Sequence, residues 1–313
     1  MGVRWLLGIE STAHTFSFGA VTEDRVPIPS SSSIIRPTEG GIHPREAADH
    51  HSENASRLLQ GLLSTHSLSM NNLVGVAYSQ GPGLGPCLRV GASVARAIAT
   101  ARNVPLIGVN HCVAHIEIGR TVCGCDDPVL LYVSGGNTQV ITRLDGRYRV
   151  LGETMDIGIG NMLDKFARHH GYPFPGGPEI EKAALRHRES VKSPSIVGLE
   201  LPYAVQGMDL AFSGLLNAAD TLVEKGASFE AVCWSLQEHA FAASIEVAER
   251  ALAHTGKTEL LLGGGVACNE RIREMSDIMC RERGATAHWP PKMYCIDNGT
   301  MIALLGLLQL ESI

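Results

Sequence analysis

Charge is scarce in this 313-residue chain: 19% of residues are charged, 26 basic against 32 acidic, for a formal net charge of −6. No run of Lys and Arg occurs. A protein that grips nucleic acid unaided presents a basic face, so an RNA substrate here would need positive surface from partners. Long hydrophobic runs are also missing. The longest, residues 301–310, is too short to cross a bilayer, and the first residues carry no signal pattern. The expectation is therefore no membrane association. The eight cysteines are scattered without a CxxC pair, and nothing in their spacing suggests a disulfide framework, which fits a reducing cytoplasm. Cys123 and Cys125 form a lone CxC that reads as an inert loop. Neither a Walker A motif nor a GxGxxG occurs, which disfavours P-loop and Rossmann nucleotide sites.

What the chain has is apolar residues, at 44%, and 34 glycines. Length suggests about two domains. Apolar strands alternate with helical stretches, notably 44–66, 91–101, 162–170 and 229–255, which gives α/β architecture. A strand–turn–strand pattern at the N-terminus (apolar 5–9, polar 10–14, apolar 16–21) recurs at 129–142. The repetition suggests two related halves, divided at the Asp126–Pro128 segment into 1–127 and 128–313, with packing of the last helix back on the first half left open. Glycine-rich loops stand at strand ends: 80–86, the hairpin loop Ser134, Gly135, Gly136, Asn137, and 263–265, read as opening a helix that runs to Arg271. Backbone N–H groups in such loops can cradle phosphate. Replacing Gly135 or Gly264 by Val is expected to weaken nucleotide binding and leave the fold largely intact.

His111 and His115 stand at i and i+4, one face of a helix and the spacing that two imidazoles need to share a metal. The pair resembles the HExxH of zinc proteases, but Cys112 occupies the place of the general base. Further ligands must come from elsewhere. Tyr132 beside the second hairpin loop and Asp297 before the last helix are candidates, although Asp297 equally suits a helix cap.

Seven segments together resemble one family, in order and across essentially the whole chain: GIESTAH (8–14), NHCVAHIEIGR (110–120), YVSGGNTQV (132–140), DIGIGNMLDKFAR (156–168), PFPGGPEIEK (173–182), GGGVACNERIREM (263–275) and YCIDNGTMIA (294–303). The family is the universal tRNA threonylcarbamoyladenosine transferase, in its archaeal and eukaryotic branch, the catalytic subunit of the KEOPS complex. The resemblance implies two duplicated α/β domains of the actin, Hsp70 and sugar kinase (ASKHA) fold around a nucleotide cleft. It implies iron or zinc held by His111, His115 and Asp297, with Tyr132 at or near the metal. The substrate-binding positions would be Tyr132, Ser134, Gly135, Gly136, Asn137, Asp164, Gly177, Glu181 and Asn269. Implied partners are tRNA, a small dimerising subunit on helices of the first half, and an atypical protein kinase subunit. Family members usually continue past the last helix in a short basic and aromatic tail; this sequence stops at Ile313, as a piece cut from a kinase fusion would.

The implied reaction passes the threonylcarbamoyl group from threonylcarbamoyl-adenylate to N6 of the adenine beside the anticodon, and AMP leaves. ATP or AMP would occupy the same cleft. No general base is evident; Glu10 and His14 in the first hairpin are candidates. The competing readings are an ATP-dependent small-molecule kinase of the same fold and a regulatory ATPase. Such a kinase would not need a histidine pair, and transfer from the adenylate to tRNA would exclude the ATPase.

Overall fold

The computed structural model describes residues 2–36, 42–191 and 195–312. They form two compact units, Met1–Val122 with Pro291–Ile313, and Cys123–Pro290. The sequence-based division at 127/128 therefore differs: the last segment, with Asp297, belongs to the first unit.

The first unit runs β1 (Trp5–Glu10), β2 (Thr15–Thr22), β3 (Pro27–Ile34), α1 (Pro44–Thr65), β4 (Leu73–Gly81), α2 (Gly85–Arg102), β5 (Leu106–Asn110) and α3 (His111–Cys123). The second runs β6 (Val129–Val133), β7 (Thr138–Leu144), β8 (Arg147–Glu153), α4 (Ile159–His169), α5 (Gly177–Ser190), β9 (Val205–Gln206), β10 (Asp209–Leu210), α6 (Ser213–Glu224), α7 (Phe229–Thr255), β11 (Glu259–Gly263), α8 (Glu270–Glu282) and β12 (Thr286–His288). A short turn α9 (Lys292–Cys295) and helix α10 (Gly299–Glu311) return to the first unit.

Each unit is built on a five-stranded sheet, ordered β3-β2-β1-β4-β5 in the first and β12-β11-β6-β7-β8 in the second. The topology is the same. The leading strand of each pairs antiparallel with the next strand and parallel with the strand after the crossover, β1 with β2 and β4, β6 with β7 and β11. The repeated hairpin in the sequence is thus the start of a duplicated sheet.

Both faces of the first sheet are covered, which is why β1 reads as a continuous apolar run. Trp5, Leu7 and Ile9 point into a core with Leu58 and Leu62 of α1 and Ala95 and Ala99 of α2. Leu6 points into the opposite core with Ala114 and Ile118 of α3 and the apolar run of α10. That run is the 301–310 stretch, so its hydrophobicity serves burial. Among the described residues no helix is long and apolar enough to cross a membrane.

Helix α10 approaches the sheet more closely than side chains allow. Gly8 and Gly19 are partners in the β1–β2 register. A Cβ on Gly8 would lie 2.1 Å from the Gly299 carbonyl, and one on Gly19 2.1 Å from the Thr300 nitrogen. The glycines of the first and last motifs therefore seat the start of α10 against the sheet, and this fixes the turn that carries Asp297.

Local readings needed two adjustments. Helix α2 begins at Gly85, inside the 80–86 glycine loop, because Pro86 suits the first helical turn. The glycines 263–265 do not open an α-helix: a 3-10 turn, Gly265–Cys268, intervenes, and α8 starts only after Asn269, whose side chain accepts from the Arg271 N–H and caps it.

Candidate active site

In the first unit, β5 runs directly into α3, so His111 is the first helical residue and His115 lies one turn on. The two rings meet edge to face with centroids 4.9 Å apart. Asp297 Oδ1 is 3.5 Å from His111 Nε2 and 3.4 Å from His115 Nε2. The donor atoms of the three residues all lie within 4.8 Å of one another. Tetrahedral ligands at about 2.0–2.2 Å stand about 3.3–3.6 Å apart, so both histidine–carboxylate edges match a single ion. Two imidazoles and one carboxylate are also the donor set of open catalytic sites. Asp297 is not the cap of α10; that role falls to Asn298, which accepts from the Met301 N–H at 2.9 Å. His14 Nδ1 is 4.0 Å from Asp297 Oδ2.

Glu10 is fully buried and faces the back of this cluster. Its Oε2 is 2.9 Å from His111 Nδ1, and its Oε1 accepts the Thr12 N–H at 2.6 Å. With both oxygens engaged, Glu10 is better placed to orient His111 than to take a proton from a substrate. A carboxylate on the far nitrogen of a ligating imidazole fixes its tautomer and raises its basicity.

Burial alone would lower the His111 pKa, but the Glu10 and Asp297 carboxylates outweigh it and push it up to about 9. His115 goes the other way, lowered chiefly by burial. Asp297 is held well below the usual carboxylate range: burial would raise it, and His111 and His115 prevail. Cys112 is pushed up to about 12 by burial and by these same carboxylates, so it stays a protonated thiol and cannot replace a protease's base. A proton on His111 competes with any ion. Metal binding is therefore expected to release one proton, and apparent affinity to rise about tenfold per pH unit below the His111 pKa of about 9, then level off. Chelator competition across that range checks this; a pH-independent affinity below 9 contradicts it.

In the second unit the resemblance-derived positions form a ring linked by contacts. Ser134 closes the β6–β7 loop on itself, Oγ donating to the Asn137 carbonyl and accepting the Asn137 N–H, both at 3.1 Å. The start of α4 packs on this loop, the Gly160 N–H donating to the Ser134 carbonyl and the Asn161 N–H to that of Gly135. One turn further, Asp164 Oδ1 accepts the N–H groups of Gly176 and Gly177 at 2.7 and 3.3 Å and holds the start of α5. Glu181 on α5 accepts the Glu270 N–H at 2.8 Å, beside Asn269. The ring closes through Gly264, whose backbone, at φ +90°, lies against Val133 and Ser134. Tyr132, 1% exposed, pairs with Gly263 in the parallel register.

A family model described as tRNA N6-adenosine threonylcarbamoyltransferase matches residues 28–304. The chain belongs to this family. A threonylcarbamoyltransferase of Methanocella arvoryzae is 53% identical over 306 residues, covering 98% of this chain and 90% of that protein. A probable bifunctional tRNA threonylcarbamoyladenosine biosynthesis protein of Methanosarcina mazei is 52% identical over 315 residues; the chain spans 56% of its length. Solved structures with this fold include HypF of T. kodakarensis (TM-score 0.66, 17% identity, 99% of this chain and 48% of that one). Component A of the Acidaminococcus fermentans (R)-2-hydroxyglutaryl-CoA dehydratase gives 0.61 at 12% identity, covering 98% and 99%. At such identities the likeness concerns the fold alone, and that fold is the ASKHA fold.

Two residues of this threonylcarbamoyltransferase-family chain escaped the motif reading. Gln237 and Glu238, in the middle of α7, hold Asn269 and Arg271 respectively, at 2.6 Å in each case. Their one signal was the polar run Gln237, Glu238 and His239 interrupting the apolar stretch of a long helix.

Proposed function

We propose that this chain transfers a threonylcarbamoyl group from threonylcarbamoyl-adenylate to N6 of the adenine next to the anticodon in tRNA. The observation that carries the reading is the His111–His115–Asp297 triangle, with edges suited to one ion, in a chain of this family. The three residues would hold iron or zinc, which their donor set suits about equally, and Tyr132 is the candidate fourth ligand on the resemblance alone. A bound ion would supply Lewis acidity toward carbamoyl or phosphate oxygen. Glu10 would keep His111 in register. The amides of the 134–137 loop would receive the adenylate phosphate. Asp164, through the 176–177 amides, would order the start of α5, where Gly177 and Glu181 meet the nucleoside together with Asn269. The adenine amine then attacks the carbamoyl carbon, the carbamoyl–phosphate C–O bond breaks, and AMP leaves as the amine gives up its proton. His14, partly exposed beside Asp297, is the candidate acceptor.

A cytoplasmic setting follows from the substrate. With a net charge of −6, tRNA affinity would depend on partners. These would be the small dimerising subunit against helices of the first unit and the atypical protein kinase subunit. On α1, Ala47, Leu58 and Leu62 are buried, while Ala55, Leu59 and Leu63 are partly buried and left at the edge of the core. The test supplies the adenylate, tRNA and these partners, then looks by mass spectrometry for threonylcarbamoyladenosine in digested tRNA. Its appearance is expected; phosphoryl transfer from ATP to a small molecule in its place would overturn the reading.

A further inference from the structure

We infer that Asn269 meets the nucleotide as a hydrogen-bond donor and that Gln237 holds this donor in position. The inference rests on the reading of the second-unit ring as the adenylate site. Asn269 is only 6% exposed and precedes α8. Its Oδ1 accepts the Arg271 N–H at 2.8 Å, so the oxygen is turned into the first turn of the helix. That leaves Nδ2, one hydrogen of which goes to Gln237 Oε1 at 2.6 Å. Gln237 is itself 2% exposed on α7. The cap fixes the Asn269 amide, because a flipped amide would set an NH2 group against a helix N–H, and the Gln237 carbonyl oxygen accepts from the NH2 so directed.

The neighbouring residues keep this geometry rigid. The Glu270 N–H is taken by Glu181. The Arg271 guanidinium pairs with Glu238, the residue after Gln237, at 2.6 and 2.7 Å. Three consecutive residues at the start of α8 are thus each tied to α5 or α7. The second Nδ2 hydrogen is the donor that Asn269 has left to offer, and it selects an acceptor: a ring nitrogen or an oxygen of the nucleoside. Gln237 is a positioning residue in this scheme.

The test is calorimetric binding of AMP and of uncharged adenosine to the full chain and three variants. Asn269→Asp still caps α8, since Asp and Asn cap about equally well, and Gln237 can turn its amide to donate to it. The donor is gone, so affinity for both probes is expected to fall about tenfold with the melting temperature near that of the parent. A loss seen with AMP alone would be charge repulsion and would overturn the donor assignment, as would parent affinity for both. Gln237→Leu is expected to lose several-fold in affinity, and Gln237→Glu, which keeps the acceptor, to restore it. Parent affinity in Gln237→Leu would overturn the role of Gln237. Asn269→Ala separates the two levels: if it too binds both probes like the parent, the adenylate reading of the ring fails.

Discussion

His111→Ala is expected to lose bound metal and threonylcarbamoyl transfer together. Two remaining donors hold a divalent ion poorly, and loss of an outer partner alone costs about 10–100-fold in affinity, so removing a ligand should cost more. Metal content should drop from about one ion per chain to a small fraction of that, read by elemental analysis after gel filtration. The substitution also takes one partner from each of two carboxylates, since Glu10 and Asp297 both face His111. Breaking a buried pair costs about 3–5 kcal/mol, so the variant will be less stable. Asp297→Asn keeps the side-chain volume and separates the two effects. It should fold and still bind metal weakly. A metal-free Asp297→Asn protein that transfers at the parent rate under chelator would remove the ion from the account.

The second large effect concerns Gly264. Its φ of +90° is a conformation that side chains rarely adopt, and a Cβ there would stand 2.4 Å from the Val133 carbonyl oxygen. Backbone strain and overpacking each cost about 1–3 kcal/mol. Gly264→Val should therefore destabilise the chain by about 3 kcal/mol or more, a large share of the usual 5–15 kcal/mol of a whole domain. Urea unfolding measures this, with Gly136→Ala as comparison, because a Cβ at Gly136 meets nothing within 4 Å. That variant should stay within about 1 kcal/mol of the parent. Equal midpoints for the two would contradict the packing argument. The sequence-based expectation that Gly264→Val leaves the fold largely intact is corrected here. The glycine stands at a backbone-to-backbone contact, not only at a phosphate approach.

Periodicity and repetition made the fold readable. The hairpin at 5–21 and its echo at 129–142 are the starts of two sheets with one topology. The i, i+4 spacing of His111 and His115 was visible because a helix turns a linear spacing into a shared face. Asp297 was harder. Its choice between ligand and cap depends on which of two adjacent residues, Asp297 or Asn298, reaches the helix N–H groups, and composition does not separate them; Asn298 does. Its membership in the first unit depends on α10 seating against Gly8 and Gly19, a contact across nearly the whole chain length. Glu10 read as a candidate base because an acidic residue in a turn looks reactive; burial and two hydrogen bonds give it a supporting place. Gln237 carries no motif, and only the fold brings it to Asn269.

The most direct measurement is a single-turnover reaction of the metal-loaded chain, its partner subunits, tRNA and labelled threonylcarbamoyl-adenylate, with AMP and modified nucleoside quantified in the same quench. The account predicts that the two products appear in equal amounts, that chelation abolishes both, and that restoring the ion to the parent, but not to His111→Ala, restores both. AMP release without modified nucleoside, or equal transfer by the chelated and metal-loaded parent, would contradict it.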